Sequence, residues 1–195
     1  MISLMDNYFD RLKETIDKLD RKEISKFIDV MQAAKQNGHY VYIMGNGGSG
    51  ATASHFVCDF NKGMSYSHSE KHRLVCLNDN ISTMLAYAND VGYEDIFVEQ
   101  LKNFLKPNDV VIAISGSGNS KNIIKAINYA NSKGAITVGF TGFSGGALKN
   151  IAKYSINTMI DDMQITEDIH MIICHMIYSI TQNKEMNMRE SLIHE

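Results

Sequence analysis

The chain has no basic surplus, only three cysteines, a single proline and no long apolar run. Each shortage excludes something. The formal net charge is −3, whereas nucleic-acid binders ordinarily carry a basic excess, so no nucleic-acid partner is expected. Cys58, Cys76 and Cys174 stand far apart without paired spacing. So sparse and odd a set is no disulfide framework and fits a reducing cytoplasm. No apolar run approaches the roughly 20 residues that span a bilayer, so no membrane partner is expected either. The first residues turn acidic early and lack the basic-then-apolar order of a signal peptide. Pro107 falls where a helix must end ahead of a strand.

What is present describes one globular domain over residues 1–195, with hydrophobic residues at 44% and charged residues at 21%. Phe9, Leu12, Ile16 and Leu19, then Ile24, Phe27, Ile28 and Met31, recur at helical steps. They predict two N-terminal helices over residues 1–37, broken near Leu19–Lys22. This segment packs either on its own sheet or on another subunit. Beyond Asn37-Gly38, strands are expected at Tyr40–Met44, Leu74–Leu77, Val110–Ile114, Ile136–Phe140 and Tyr154–Thr158. Helices are expected at Ser49–Phe60, Ile81–Ala88, Asp95–Leu105, Ser120–Lys133, Gly146–Ala152 and from about Ile165 to Gln182. Asn61–His72 reads as a polar loop outside the core, and residues 183–195 as a flexible tail. The alternation implies βαβ units, hence a three-layer α/β fold with a five-stranded parallel sheet and ligands at the carboxyl ends of the strands.

Two glycine–serine loops fall at such ends. Gly45-Asn46-Gly47-Gly48-Ser49-Gly50 follows the first strand, and Ser115-Gly116-Ser117-Gly118-Asn119-Ser120 follows the third. Glycine admits close backbone approach, while hydroxyls and free amides at a helix start attract an anion. The first loop also has the glycine spacing of a dinucleotide site. However, its acidic partner, Asp79, comes late, and such a site has no use for a second serine loop. A helix cap from Asn119 or Ser120 explains one polar residue of the second loop. A phosphate explains Ser115, Ser117 and Ser120 together, with Ser49 converging on the same anion.

His55 and Asp59 are four apart on the helix leaving the first loop and share a face. The pair suits acid–base work, metal ligation or a simple i,i+4 hydrogen bond. On the last helix Asp168 and His175 align after seven residues, and Glu167 lies on the same broad side. His170 points largely elsewhere and reads as a structural histidine, whose loss should spare activity. The methionines read as core filler.

Gly45-Asn46-Gly47-Gly48-Ser49, His55-Phe56, Asn89-Asp90 with Asp95-Ile96-Phe97, and Ser115 to Ser120 resemble, in that order, the sugar isomerase (SIS) domain family. Within it they look most like the phosphoheptose isomerases, and the resemblance covers nearly the whole chain. It implies a sugar phosphate bound by Asn46, Gly47, Gly48, Ser49, Asn89, Asp90, Ser115, Gly116, Ser117 and Ser120, with Asp59 and Glu167 also reaching the substrate. It implies one metal ion per subunit, zinc first, at His55, Asp59, Glu167 and His175. Asp59 stands where the family has glutamate, and Glu167 where it has glutamine. It further implies a homotetramer and aldose–ketose isomerisation through an enediol, with Asp59 and His175 moving the proton and sedoheptulose 7-phosphate as the leading substrate. The alternative is a non-catalytic SIS protein that binds a sugar phosphate or only a protein partner.

Overall fold

The computed structural model describes residues 1–66 and 70–193, with side chains as far as residue 184. The elements run α1 (Ile2–Asp17), α2 (Arg21–Gln36), β1 (Val41–Gly45), α3 (Gly47–Cys58), β2 (Leu74–Cys76), α4 (Ile81–Asp90), α5 (Val98–Phe104), β3 (Val110–Ser115), α6 (Lys121–Ser132), β4 (Ile136–Thr141), α7 (Gly146–Ile151), β5 (Tyr154–Asn157) and α8 (Met163–Ile193). All five strands are parallel, in the order β2-β1-β3-β4-β5.

Strand side chains alternate between two cores, as the pleat requires. Val41, Ile43, Val110, Ile112 and Ile114 join Phe27, Met31, Phe56, Ile169 and Ile173 under α2, α3 and α8. Tyr42, Met44, Val111 and Ala113 join Phe97, Leu101, Ile123 and Ile127 under α5 and α6. The order of strands reverses between β1 and β3. The helices that follow these two strands therefore leave on opposite faces, and a crevice opens between their starts.

The N-terminal helices form as read. Asp20 caps α2, accepting from the backbone N–H of Lys22 at 2.9 Å and of Glu23 at 3.2 Å. α2 belongs to the core, whereas Thr15 is the one buried residue of α1. α1 docks on the chain's own α8, where Arg11 pairs with Asp162 at 2.9 Å and the Tyr8 hydroxyl donates to Asp168 at 2.6 Å. That hydrogen bond, with partial burial behind it, pushes the Tyr8 phenol up to about 12.

Two segments depart from the sequence reading. After α3 the chain continues into a π-helical turn, Asp59–Met64, because Phe60 and Met64 are both drawn into the core. Asn61 is held there too, donating to the Leu74 carbonyl at 2.8 Å and accepting from the Leu74 N–H at 3.2 Å. His72 is buried as well. The stretch expected as a polar loop is thus anchored at both ends, while residues 67–69 of it lie outside the described residues. The last helix does not end near Gln182 but runs to Ile193. Lys184, Glu185, Met186 and Arg189 are good helix formers, and no glycine or proline interrupts them. Polarity alone did not make a stop, and residues 194–195 of the expected tail lie outside the described residues. No helix among the described residues is long and apolar enough to cross a membrane.

Candidate active site

Both serine loops open into one cavity of about 150 Å³ at the crevice between β1 and β3. Its lining comprises Asn46, Ser49, Ile114, Ser115, Gly116, Ser117, Ser120, Met163 and Glu167. All four serines singled out from the sequence are there. α3 and α6 begin at its wall, capped in position by Asn46 and Ser120, neither of which makes a capping side-chain hydrogen bond. The first-turn amides of α3 are therefore left for a ligand, whereas in α6 the Ile123 N–H is taken by the Asn122 side chain at 2.9 Å. Asn119 does not cap α6. Its amide instead donates to the Ser117 carbonyl at 3.1 Å and accepts from the Ala147 N–H at 3.0 Å. Among the described residues no lysine or arginine lines the cavity, so hydroxyls, amides and helix dipoles are what it offers an anion.

The two loops are locked to one another. Asn46 and Asn122 exchange amide hydrogen bonds at 3.0 and 2.8 Å, and the Tyr93 hydroxyl donates to Asn46 at 2.9 Å. Asn78 grips Gly45 by both its N–H, at 3.2 Å, and its carbonyl, at 2.7 Å. Gly118 sits at φ 66° with the Gly145 carbonyl packed where a Cβ would stand, so no other residue fits this turn. Asn122 and Tyr93 were not foreseen. Their partners are 76 and 47 residues away in the chain, and no local spacing encodes such a pairing.

Beyond Ser49, α3 carries His55, and the π-helical turn after it opens with Asp59, both against His175 of α8. The two imidazole Nε2 atoms are 3.0 Å apart, and Asp59 Oδ2 lies 3.4 Å from His55 Nε2 and 3.9 Å from His175 Nε2. One atom from each residue lies within 4.8 Å of the others, as a shared cation requires. Two nitrogens and one carboxylate oxygen make a zinc-type set with a position left over. Glu167 does not join this trio. Its carboxylate rests over Gly48, where a Cβ would meet Oε2 at 2.6 Å, and it lines the serine cavity instead. Asn89 and Asp90 are exposed at the end of α4, bonded to one another at 2.8 Å, and stand outside the cavity lining.

His170 is turned away from the trio, as its helical position predicts, but it is fully buried. Burial pushes its imidazole down to about 4. The ring fills a closed space against Phe140, so replacing it with a smaller residue would leave a cavity in the core. Cys174, next to the trio, is also enclosed. Burial first and the Asp59 charge second push its thiol up to about 12, so it stays protonated.

A model of the SIS domain matches residues 7–142. A protein of Thermoplasma acidophilum named probable phosphoheptose isomerase is 37% identical over 170 residues, covering 85% of this chain and 91% of that protein. The phosphoheptose isomerase of Geotalea daltonii is 31% identical, with 89% and 90% covered. The solved structure of a phosphoheptose isomerase from Francisella tularensis superposes with a TM-score of 0.86 at 25% identity, covering 93% of this chain and 98% of that one.

Proposed function

The chain belongs to the SIS domain family, and from that premise we propose that this phosphosugar isomerase converts sedoheptulose 7-phosphate into an aldoheptose 7-phosphate in the cytoplasm. The observation that carries the reading is the pairing of an anion cavity, opened by α3 and α6 and lined by Glu167 of α8, with a His–Asp–His trio drawn from α3, the turn after it and α8. Ser49 and His55 are six residues apart on α3, or about 9 Å by helical rise. That distance suits a sugar phosphate lying extended from the serines to the trio.

The serine hydroxyls and helix amides hold the phosphate and fix the register of the carbon chain. Asp59 is the base. Its Oδ2 faces the two imidazoles, and we assign the proton moving between the first two carbons to its other oxygen. That proton leaves one carbon, an enediol forms, and the proton returns to the neighbouring carbon. His175 passes the accompanying proton between the hydroxyl and carbonyl oxygens. Glu167, over Gly48, contacts the substrate from the cavity side. His55, Asp59 and His175 fit a zinc ion, one per subunit, while Glu167, expected from the sequence as a fourth ligand, stands apart from them over Gly48. When bound, the ion polarises the substrate carbonyl. Asn89 and Asp90, remote from the cavity within one chain, act in the same reading across a subunit contact of a homotetramer.

The test is incubation of metal-stripped and zinc-loaded protein with a panel of ketose and aldose phosphates, followed by NMR in deuterated water. The expected result is interconversion of the heptose phosphates, with deuterium entering at the carbon next to the carbonyl. No turnover of any panel member by either form would sink the proposal and favour a binding role.

A further inference from the structure

His170 poses a chemical question that the trio does not answer. Its Nε2 lies 3.3 Å from the Thr141 carbonyl. A carbonyl only accepts, so Nε2 carries the proton and the tautomer is set. Nδ1 is then a bare acceptor, buried and without a hydrogen-bond partner among the described residues. A leucine would cost less at such a place. What the ring gains is its one hydrogen bond, and that bond ends on the cavity's scaffold. Thr141 is the last residue of β4. The next residue, Gly142, donates its N–H to the Gly116 carbonyl at 2.8 Å, and Gly116 lines the anion cavity. Gly142 also lies flush against Thr166, one turn before His170 on α8, with Thr166 Oγ1 where a Cβ would stand. α8 thus grips the Thr141–Gly142 peptide unit by its carbonyl and packs against the Gly142 Cα, and the N–H of that same unit holds the serine loop.

We propose that His170 is a positioning residue for phosphate binding: its Nε2–H holds the Thr141–Gly142 peptide so that Gly116 keeps the second serine loop in register with the first. This rests on reading the cavity as a phosphate site. The effect travels through the loop and not through the trio, so it belongs to substrate affinity and leaves proton transfer alone.

The test uses His170→Leu, which removes the donor, and His170→Gln, which keeps an N–H of similar reach. Titration calorimetry with inorganic phosphate should show His170→Leu binding about five- to tenfold more weakly than the unchanged protein, the loss of one hydrogen bond. His170→Gln should recover most of that. With sedoheptulose 7-phosphate, KM should rise in His170→Leu while kcat stays within about twofold, and zinc affinity should not move. Equal phosphate affinity in all three proteins would overturn the proposal, as would equal loss in both variants. Should His170→Leu fail to fold, nitrogen NMR of the unchanged protein still decides. A proton on Nε2 protected from exchange supports the proposal, and a proton on Nδ1 refutes it. Phosphate binding without any sugar turnover would refute the isomerase reading and leave this one standing.

Discussion

Asp59 lies within 4 Å of two imidazoles through a single oxygen, so its charge and its reach can be tested separately. Asp59→Asn keeps the shape and removes the proposed base. Turnover should fall by about 10²- to 10⁴-fold, while inorganic phosphate, whose proposed site is at the start of α3, should still bind by calorimetry. Loss of both together would place the carboxylate in the fold and not in the reaction. His170 gives a pH dependence whose sign is fixed. Its folded value, about 4, lies below the ordinary 6.5, so the unfolded chain takes up a proton more readily. Stability from this group is complete above about pH 6.5 and drains away as pH falls toward 4. The total is on the order of 3 kcal/mol. Urea unfolding at pH 7 and pH 4.5 should show a steeper loss for the unchanged protein than for His170→Gln. Of the single residues, the four serines were legible because glycine and serine crowd two strand ends, a local signal. The place of Glu167 was not. Helical spacing puts it on the side of His175 but says nothing of how far along α8 the cavity extends.

At the scale of elements, the parallel strands were readable because strands buried on both faces are unbroken apolar runs, as in Val110–Ile114. The π-helical turn after α3 was not. Asn61 and Lys62 look like loop residues, and only the distant Leu74 backbone shows why Asn61 is held. α1 was readable as a helix but not as a docked one, since Tyr8–Asp168 joins residues 160 apart. Its attachment predicts a hierarchy. Arg11→Ala breaks a partly exposed ion pair and should cost under about 1 kcal/mol. Tyr8→Ala also strips a ring from the edge of the core and should cost more, about 2 kcal/mol. Thermal unfolding of the two variants side by side checks the order, and the reverse ranking would mean that charge, not packing, seats this helix.

For the whole molecule, the distribution of apolar surface argues for partners of its own kind. α4 has no buried residue, yet Ile81 and Leu85 are 67% and 64% exposed. On α1, Ile2, Leu4, Met5 and Phe9 are exposed as well. Contiguous apolar faces of this sort mark contacts, and closed symmetric assemblies are the usual outcome. Light scattering should give a tetramer mass at micromolar concentration. Leu85→Asp should lower that mass and reduce activity, because Asn89 and Asp90 lie one turn further along the same helix. A monomeric, fully active protein would contradict both expectations. The reversal of strand order between β1 and β3 has one more consequence. The helices that start at the cavity leave it on opposite faces of the sheet and end in separate cores. A single phosphate gripped by both starts would therefore add a further fastening between two halves that otherwise meet through the strands and the Asn46–Asn122 hydrogen bonds. At a hundredfold excess over its dissociation constant it adds about 2.7 kcal/mol to stability. Amide hydrogen exchange should show where: protection should rise together in α3 and α6, so that two units able to open independently open only as one.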